Sequence, residues 1–305
     1  MEVPSKRQQF NALVQAQTTV ISLLPYLMGL VFTAYYYRNI NIIDTVLLMI
    51  AVVSFHLAVN GHNQYTDYRR FESTGNAHSF NNIIRKFKIP MSWARANIIG
   101  LVVLSAAIGL YLTVKTGWIL LLIGVASFLV GYFYSGGHHP ILKTPFGEPA
   151  SGITMGYNIV LLAIFINIYN LPHFDPFFWA KALVVAGPAI FTISNVMLGN
   201  NICDKEEDEK VGRHTLVHYI GRSGGLKVLI GSYVASFIFI LLGVALRLLP
   251  VWDLLVLVMI IPVWSRTKIF VQHPDKSTTF PNILIDLQLI LISEIVVTFV
   301  ALLLQ

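Results

Sequence analysis

A chain of 305 residues with 55% hydrophobic and only 12% charged side chains carries about half the charge of an ordinary soluble domain, where about 25% is usual. That composition excludes a soluble enzyme and a disordered chain. The single Cys, Cys203, excludes a disulfide framework and a cysteine-built zinc site. The net charge of +6, from 21 Lys and Arg against 15 Asp and Glu, points to membrane orientation and anionic partners and away from nucleic acid.

Met1 to Phe10 is polar and basic, and the apolar stretch after it lacks the short hydrophobic core and small-residue cleavage site of a signal peptide. It reads as a retained helix. A helix needs about 20 mostly apolar residues to cross the hydrocarbon of a bilayer. Nine segments meet or approach that length: 16–36, 42–62, 93–114, 117–135, 147–169, 177–199, 226–248, 250–265 and 283–304. Backbone in lipid must satisfy itself, so the expected fold class is all-α. The expectation is a multi-pass transmembrane bundle of nine helices, one integral membrane domain over residues 1–305.

Charge placement tests that count independently. With the N-terminus in the cytoplasm and nine crossings, seventeen of the 21 Lys and Arg lie inside, leaving only Arg38, Lys115, Lys181 and Arg247 outside. The positive-inside rule thus supports nine crossings of the cell membrane, with the C-terminus outside. Two inside connections are long and polar, about 63–92 and about 200–225. Long connections in a compact domain are usually functional or disordered, and these two are expected to cap the cytoplasmic mouth.

The strongest chemical signal runs from Asn200 through Asn201, Ile202, Cys203, Asp204, Lys205, Glu206 and Glu207 to Asp208. On one helix, positions 200, 204 and 208 advance by about 40° per step of four residues, so an amide and two carboxylates stack on one face. Mg²⁺ takes oxygen ligands from one or two carboxylates and completes its shell with water and substrate phosphates. The ladder therefore suits a Mg²⁺–diphosphate clamp, whereas Glu206, Glu207 and Glu209 read as a solvated helix end. A second site of the same type, Asn63-Gln64-Tyr65-Thr66-Asp67, closes helix 2 on the same side. Among the many cations around the two motifs, Arg69, Lys86 and Arg213 are the candidates to meet phosphate oxygens. Tyr65, Tyr68, Tyr132 and Tyr134 are candidates to stabilise an allylic cation through their ring faces.

These motifs, with Gly212-Arg213-His214-Thr215-Leu216 and Tyr134-Ser135-Gly136-Gly137 leading to Gly147-Glu148, resemble the UbiA superfamily of intramembrane prenyltransferases. The chain looks most like the 1,4-dihydroxy-2-naphthoate prenyltransferases of menaquinone synthesis. The resemblance implies Mg²⁺ as cofactor, with Asn63, Asp67, Asn200, Asp204 and Asp208 holding the metal and the diphosphate. It places Arg213 nearby, and names a polyprenyl diphosphate and an aromatic quinone precursor as partners within the lipid bilayer. Asp67, Asp204 and Asp208 are the residues expected to carry catalysis; Asn63, Asn200, Arg69, Lys86, Tyr134, Glu148 and Arg213 are expected to contact substrate. For Glu148 two roles stand side by side, orienting the aromatic substrate or pairing with a basic loop residue.

The sequence departs from the family at two places. Where a further aspartate usually follows the first motif, Glu72 is the available substitute, and Gly75-Asn76-Ala77-His78 replaces a Gly-x-x-Arg stretch. The acceptor is accordingly open between 1,4-dihydroxy-2-naphthoate, 4-hydroxybenzoate and haem. An ion-coupled transporter using Asp67, Asp204 and Glu294 is the rival from another class, although transporters tend to place such charges near the midplane on broken helices. Asp286 and Glu294, eight apart on the last helix, have no assigned partner.

Overall fold

The computed structural model describes residues 4–74 and 82–305, with the backbone alone for 71–74. Within it every regular element is helical. In chain order these are α1 (Lys6–Leu13), α2 (Val20–Tyr36), α3 (Ile42–Thr74), α4 (Ile83–Lys86), α5 (Met91–Thr116), α6 (Trp118–Ser135) and α7 (Gly147–Ser151). There follow α8 (Ile159–Ile168), α9 (Phe178–Val185), α10 (Gly187–Cys203), α11 (Lys205–Lys210), α12 (Leu216–Ala245), α13 (Ile260–Gln272) and α14 (Pro281–Leu303). Among the described residues, eight helical spans are long and apolar enough to cross a bilayer, and a ninth results if α9 and α10, bent by 53°, form one crossing.

Position in the bundle explains composition. All ten residues of α8 are buried, which is why its sequence is apolar on every side. Its one polar side chain is fully used: Asn167 Oδ1 accepts from the Asn41 amide at 2.6 Å and the Thr45 hydroxyl at 3.0 Å, while Nδ2 donates to the Ala163 carbonyl at 2.9 Å. Helices α5, α6 and α12 instead expose Val103, Leu110, Leu122, Leu129 and Ile238, as lipid-facing helices do.

Four differences from the sequence expectation bear on the site. The second crossing continues to Thr74, so Asn63 and Asp67 stand on the last turns of a helix and not in a loop. The crossing expected at 177–199 breaks at Ala186, because Pro188 in the first turn of α10 has no N–H to carry the α9 ladder forward. The crossing expected at 147–169 contains a π-helical stretch over Gly152–Asn158. The segment 250–265 extends to Gln272, opening with a 3₁₀ stretch at Val251–Met259. The Glu72 side chain and Gly75-Asn76-Ala77-His78 lie outside the described residues.

Candidate active site

The two motif-bearing helix ends meet at one end of the bundle, and one side chain joins them. Arg213 Nη2 lies 3.2 Å from Asp67 Oδ1 on α3, and Nη1 lies 3.5 Å from Asp208 Oδ1 on α11. Asp208 is buried and Asp67 half-buried. The placement of Arg213 is local chemistry. Helix α11 ends in a Schellman turn: Gly212, at φ +67°, sends its N–H to the Glu209 carbonyl at 3.2 Å, and Arg213 N–H reaches the Asp208 carbonyl at 2.8 Å. A left-handed residue is needed at that position, and glycine adopts it without strain. The turn folds Arg213 back over the acid it pairs with.

Arg70, one turn beyond Asp67, lies 3.7 Å from that carboxylate and donates to the Ser135 carbonyl at the end of α6. The loop between α6 and α7 also enters the site. His214 N–H donates to the Lys143 carbonyl at 3.0 Å. The Lys143 amine is held below the usual lysine value, first by burial and then by the positive charges of Arg70 and Arg213. Lys143 is a site cation that sequence reasoning counted only for orientation. Its signal was its place between the Gly-Gly turn and Glu148.

The expected ladder of Asn200, Asp204 and Asp208 is not one helical face. Helix α10 stops at Cys203, and Asp204, at φ −90° and ψ 5°, separates it from α11. Asp208 consequently turns to Arg213, while Asp204 pairs with Lys276, a second cation the sequence reading did not single out. Asn200 stays half-buried at the end of α10. Close packing fixes that helix end: a Cβ on Gly199 would sit 2.2 Å from Ile283 of α14. Glu206 pairs with Arg222 at 2.7 Å and Glu209 with Lys205 at 3.0 Å, which agrees with their reading as a solvated helix end.

Next to Asn200, Asn201 Nδ2 donates to Glu148 Oε1 at 2.9 Å. No basic residue pairs with Glu148 among the described residues. Tyr134 is half-buried nearby, its hydroxyl 3.2 Å from Ser151 Oγ. Tyr65 and Tyr68 pack into a small apolar cluster with Leu13, Ile84 and Ala94. Arg69 is exposed. It lines a recess of about 410 Å³ with His62, Tyr65, Thr66, Arg70, Tyr132, Gly136 and Gly137. Lys86 stands exposed on α4, and no ion pair joins it to the Asp67–Arg213–Asp208 bridge.

The two acids on the last helix are buried. Asp286 lies 3.7 Å from Arg266 and accepts from Thr267 at 3.4 Å. Glu294 has both carboxyl oxygens buried without a hydrogen-bond partner among the described residues.

No three His, Cys, Asp or Glu side chains among the described residues form a metal cage by themselves. Two carboxylates share Arg213, and the buried Asn63 Oδ1, one turn from Asp67, has no hydrogen-bond partner. That incomplete, all-oxygen donor set fits a hard cation whose remaining ligands come from water and a substrate diphosphate.

The family model described as the UbiA prenyltransferase family matches residues 22–282. The chain belongs to the UbiA prenyltransferase family. It is therefore a prenyltransferase and a multi-pass membrane protein, and the transporter reading falls away. This UbiA family member is 29% identical over 265 residues to the 1,4-dihydroxy-2-naphthoate octaprenyltransferase of Bacillus subtilis (strain 168), covering 86% of this chain and 81% of the relative. Its fold is similar to that of a UbiA homolog from Aeropyrum pernix K1, with a TM-score of 0.69 at 16% identity, covering 94% of this chain and 97% of that one. It is similar as well to a UbiA homolog from Archaeoglobus fulgidus bound to DMAPP and Mg²⁺, with a TM-score of 0.65 at 17% identity, covering 97% of this chain and 100% of that one.

Proposed function

We propose that this prenyltransferase moves a polyprenyl group from polyprenyl diphosphate to 1,4-dihydroxy-2-naphthoate, in the synthesis of menaquinone, with Mg²⁺ as cofactor. The observation that carries the diphosphate end of this reading is the Asp67–Arg213–Asp208 bridge beside the unpartnered Asn63 oxygen. The acceptor rests on the naphthoate-specific relative. In this reading the motif end faces the cytoplasm, which the excess of Lys and Arg there supports.

Asn63, Asp67 and Asp208 would hold the metal, with Asn200 and Asp204 at the neighbouring helix end. When bound, Mg²⁺ supplies Lewis-acid neutralisation of the leaving diphosphate. Arg213, Lys143 and Arg70 then meet diphosphate oxygens, and Arg213 exchanges its carboxylate partners for them. Charge neutralisation weakens the allylic C–O bond; the ring carbon attacks the allylic carbon, diphosphate leaves, and the acceptor carboxylate departs as CO₂. The half-buried Tyr134 ring offers the developing allylic cation an aromatic face.

The test is transfer in proteoliposomes with polyprenyl diphosphate, Mg²⁺ and each acceptor in turn. Demethylmenaquinol formed from 1,4-dihydroxy-2-naphthoate, read as demethylmenaquinone after oxidation in air, is the expected product. Product from 4-hydroxybenzoate or haem alone would replace the acceptor, and no prenylated product from any of them would overturn the reading.

A further inference from the structure

We propose that Glu148 is the proton acceptor for the ring hydroxyl of the aromatic acceptor and that Asn201 is its positioning residue, an assignment that rests on the prenyl-transfer reading above. Glu148 is only 3% exposed. One carboxyl oxygen, Oε1, is fixed by Asn201 Nδ2 at 2.9 Å, while the other, Oε2, is buried with no hydrogen-bond partner among the described residues. A buried acceptor left open costs on the order of 1–3 kcal/mol, so this one has the geometry of an atom completed by a ligand.

The backbone around Glu148 is held as firmly as its side chain. Ser194 Oγ on α10 donates to the Glu148 carbonyl at 3.1 Å. Immediately beyond α7 the chain winds as a π-helix over Gly152–Asn158, an arrangement that often accompanies functional sites. Its two glycines lie against α10: a Cβ on Gly152 would meet Ser194 Oγ at 2.2 Å, and one on Gly156 would meet the Ile190 backbone at 2.7 Å. Glycine is required at both, because backbone meets backbone there. That contact locks the Glu148 turn to the helix that ends in Asn200 and Asn201. Tyr134, half-buried, places its hydroxyl 3.2 Å from Ser151 Oγ on the same turn. Asn201 directly follows Asn200, so the open oxygen lies beside the helix end that carries the second motif.

An electron-rich ring attacks harder as its hydroxyl loses a proton. In the proposed step the ring carbon forms its bond to the allylic carbon as the C–O bond to diphosphate breaks. The O–H proton passes to Glu148 Oε2, and the hydroxyl oxygen becomes a ring carbonyl. Loss of CO₂ from the attacked carbon leaves its electron pair to restore the aromatic ring. The carbonyl oxygen recovers the proton from Glu148, which returns to the carboxylate.

The experiment is steady-state kinetics of wild type and Glu148→Gln in proteoliposomes across pH. It uses 1,4-dihydroxy-2-naphthoate and a ring-fluorinated analogue with a more acidic hydroxyl. Gln keeps the volume and the bond from Asn201 but cannot take a proton. The expected result is a loss of about 100-fold in kcat, in the range for removing a general base, with the KM for prenyl diphosphate unchanged. The acid limb of the wild-type pH profile should disappear, and the loss should shrink with the fluorinated acceptor. A wild-type pH profile, or equal losses with both acceptors, would overturn the assignment, since a structural role alone predicts them. Should Glu148→Gln fail to fold, Glu148→Asp carries the same test: about tenfold lower kcat with a displaced acid limb supports the assignment, and wild-type values overturn it. Absence of wild-type turnover with every phenolic acceptor would overturn the transfer reading and this assignment together. Normal turnover with an indifferent Glu148→Gln would overturn the assignment alone.

Discussion

Arg213 and Asp67 sit 146 residues apart in sequence and 3.2 Å apart in space, with the same guanidinium also reaching the buried Asp208. A single cation thus holds together two acidic helix ends that would otherwise repel. Removing it has opposite consequences for the free protein and for metal binding. Arg213→Gln should lower the thermal midpoint in the absence of ligand, because the buried Asp208 loses its ion pair with Arg213. Added Mg²⁺ should then raise the midpoint more in the variant than in wild type, since it relieves the repulsion without displacing a guanidinium. Thermal unfolding in detergent with and without Mg²⁺ reads both effects, and equal Mg²⁺ shifts in the two proteins would contradict them.

If Lys143 meets the diphosphate as proposed, prenyl diphosphate binding should depend on pH. Its amine ionises below the ordinary value of 10.5, by burial and by the charges of Arg70 and Arg213, so it goes neutral earlier on the alkaline side than a free lysine. Without ligand, the unfolded chain binds the extra proton between the folded and unfolded values. Stability contributed by this group therefore rises with pH across that window. Function runs the other way: the KM for prenyl diphosphate should climb as the charge is lost. Kinetics across pH 7 to 10 should show that limb in wild type and not in Lys143→Met.

The contact between the π-helical stretch and α10 leaves no room for a side chain at Gly156. Gly156→Val forces the two backbones apart and should cost about 1–3 kcal/mol through overpacking. Its thermal midpoint should fall, and transfer activity should fall with it because Glu148 and Asn201 separate. An unchanged midpoint would show that the helices are not held as tightly as this contact implies.

Glu294 is 1% exposed with neither carboxyl oxygen hydrogen-bonded among the described residues, beside Met28, Val31, Phe32, Ile295 and Thr298. It lies outside the active-site cluster, so its removal should stabilise the protein without abolishing turnover. Glu294→Met, similar in volume, should raise stability by about 1–3 kcal/mol, the cost of a buried unpaired polar group. A lowered thermal midpoint would reveal a partner that Glu294 needs.

The sequence made the bundle legible because its signals are local and additive. Apolar length marks each crossing, and the placement of Lys and Arg gives an expected order of sides. Both motifs were legible for the same reason, each being a short run at the end of an apolar stretch. What sequence pattern could not show is where helices stop and what distant loops bring in. The 200–208 run reads as one helix, yet the chain leaves helical geometry at Asp204, which hands Asp204 to Lys276 and Asp208 to Arg213. Lys143, between the Gly-Gly turn and Glu148, and Lys276, in a segment that carries no motif, enter the site by tertiary folding. Arg69, a candidate among the cations around the motifs, lines a recess together with Arg70, the residue that approaches Asp67. Glu148 was visible as an acid after a turn, but its open oxygen is a property of packing against α10.

The central claim is that Asp67 and Asp208, from two distant segments, grip one metal–diphosphate unit. Its most direct test is metal occupancy, measured by titrating Mn²⁺ into the detergent-solubilised protein with an unreactive prenyl thiodiphosphate and following free Mn²⁺ by electron paramagnetic resonance. Saturable binding that requires the diphosphate and weakens at least tenfold in both Asp67→Asn and Asp208→Asn is the predicted result. Wild-type occupancy in either folded variant would contradict the account.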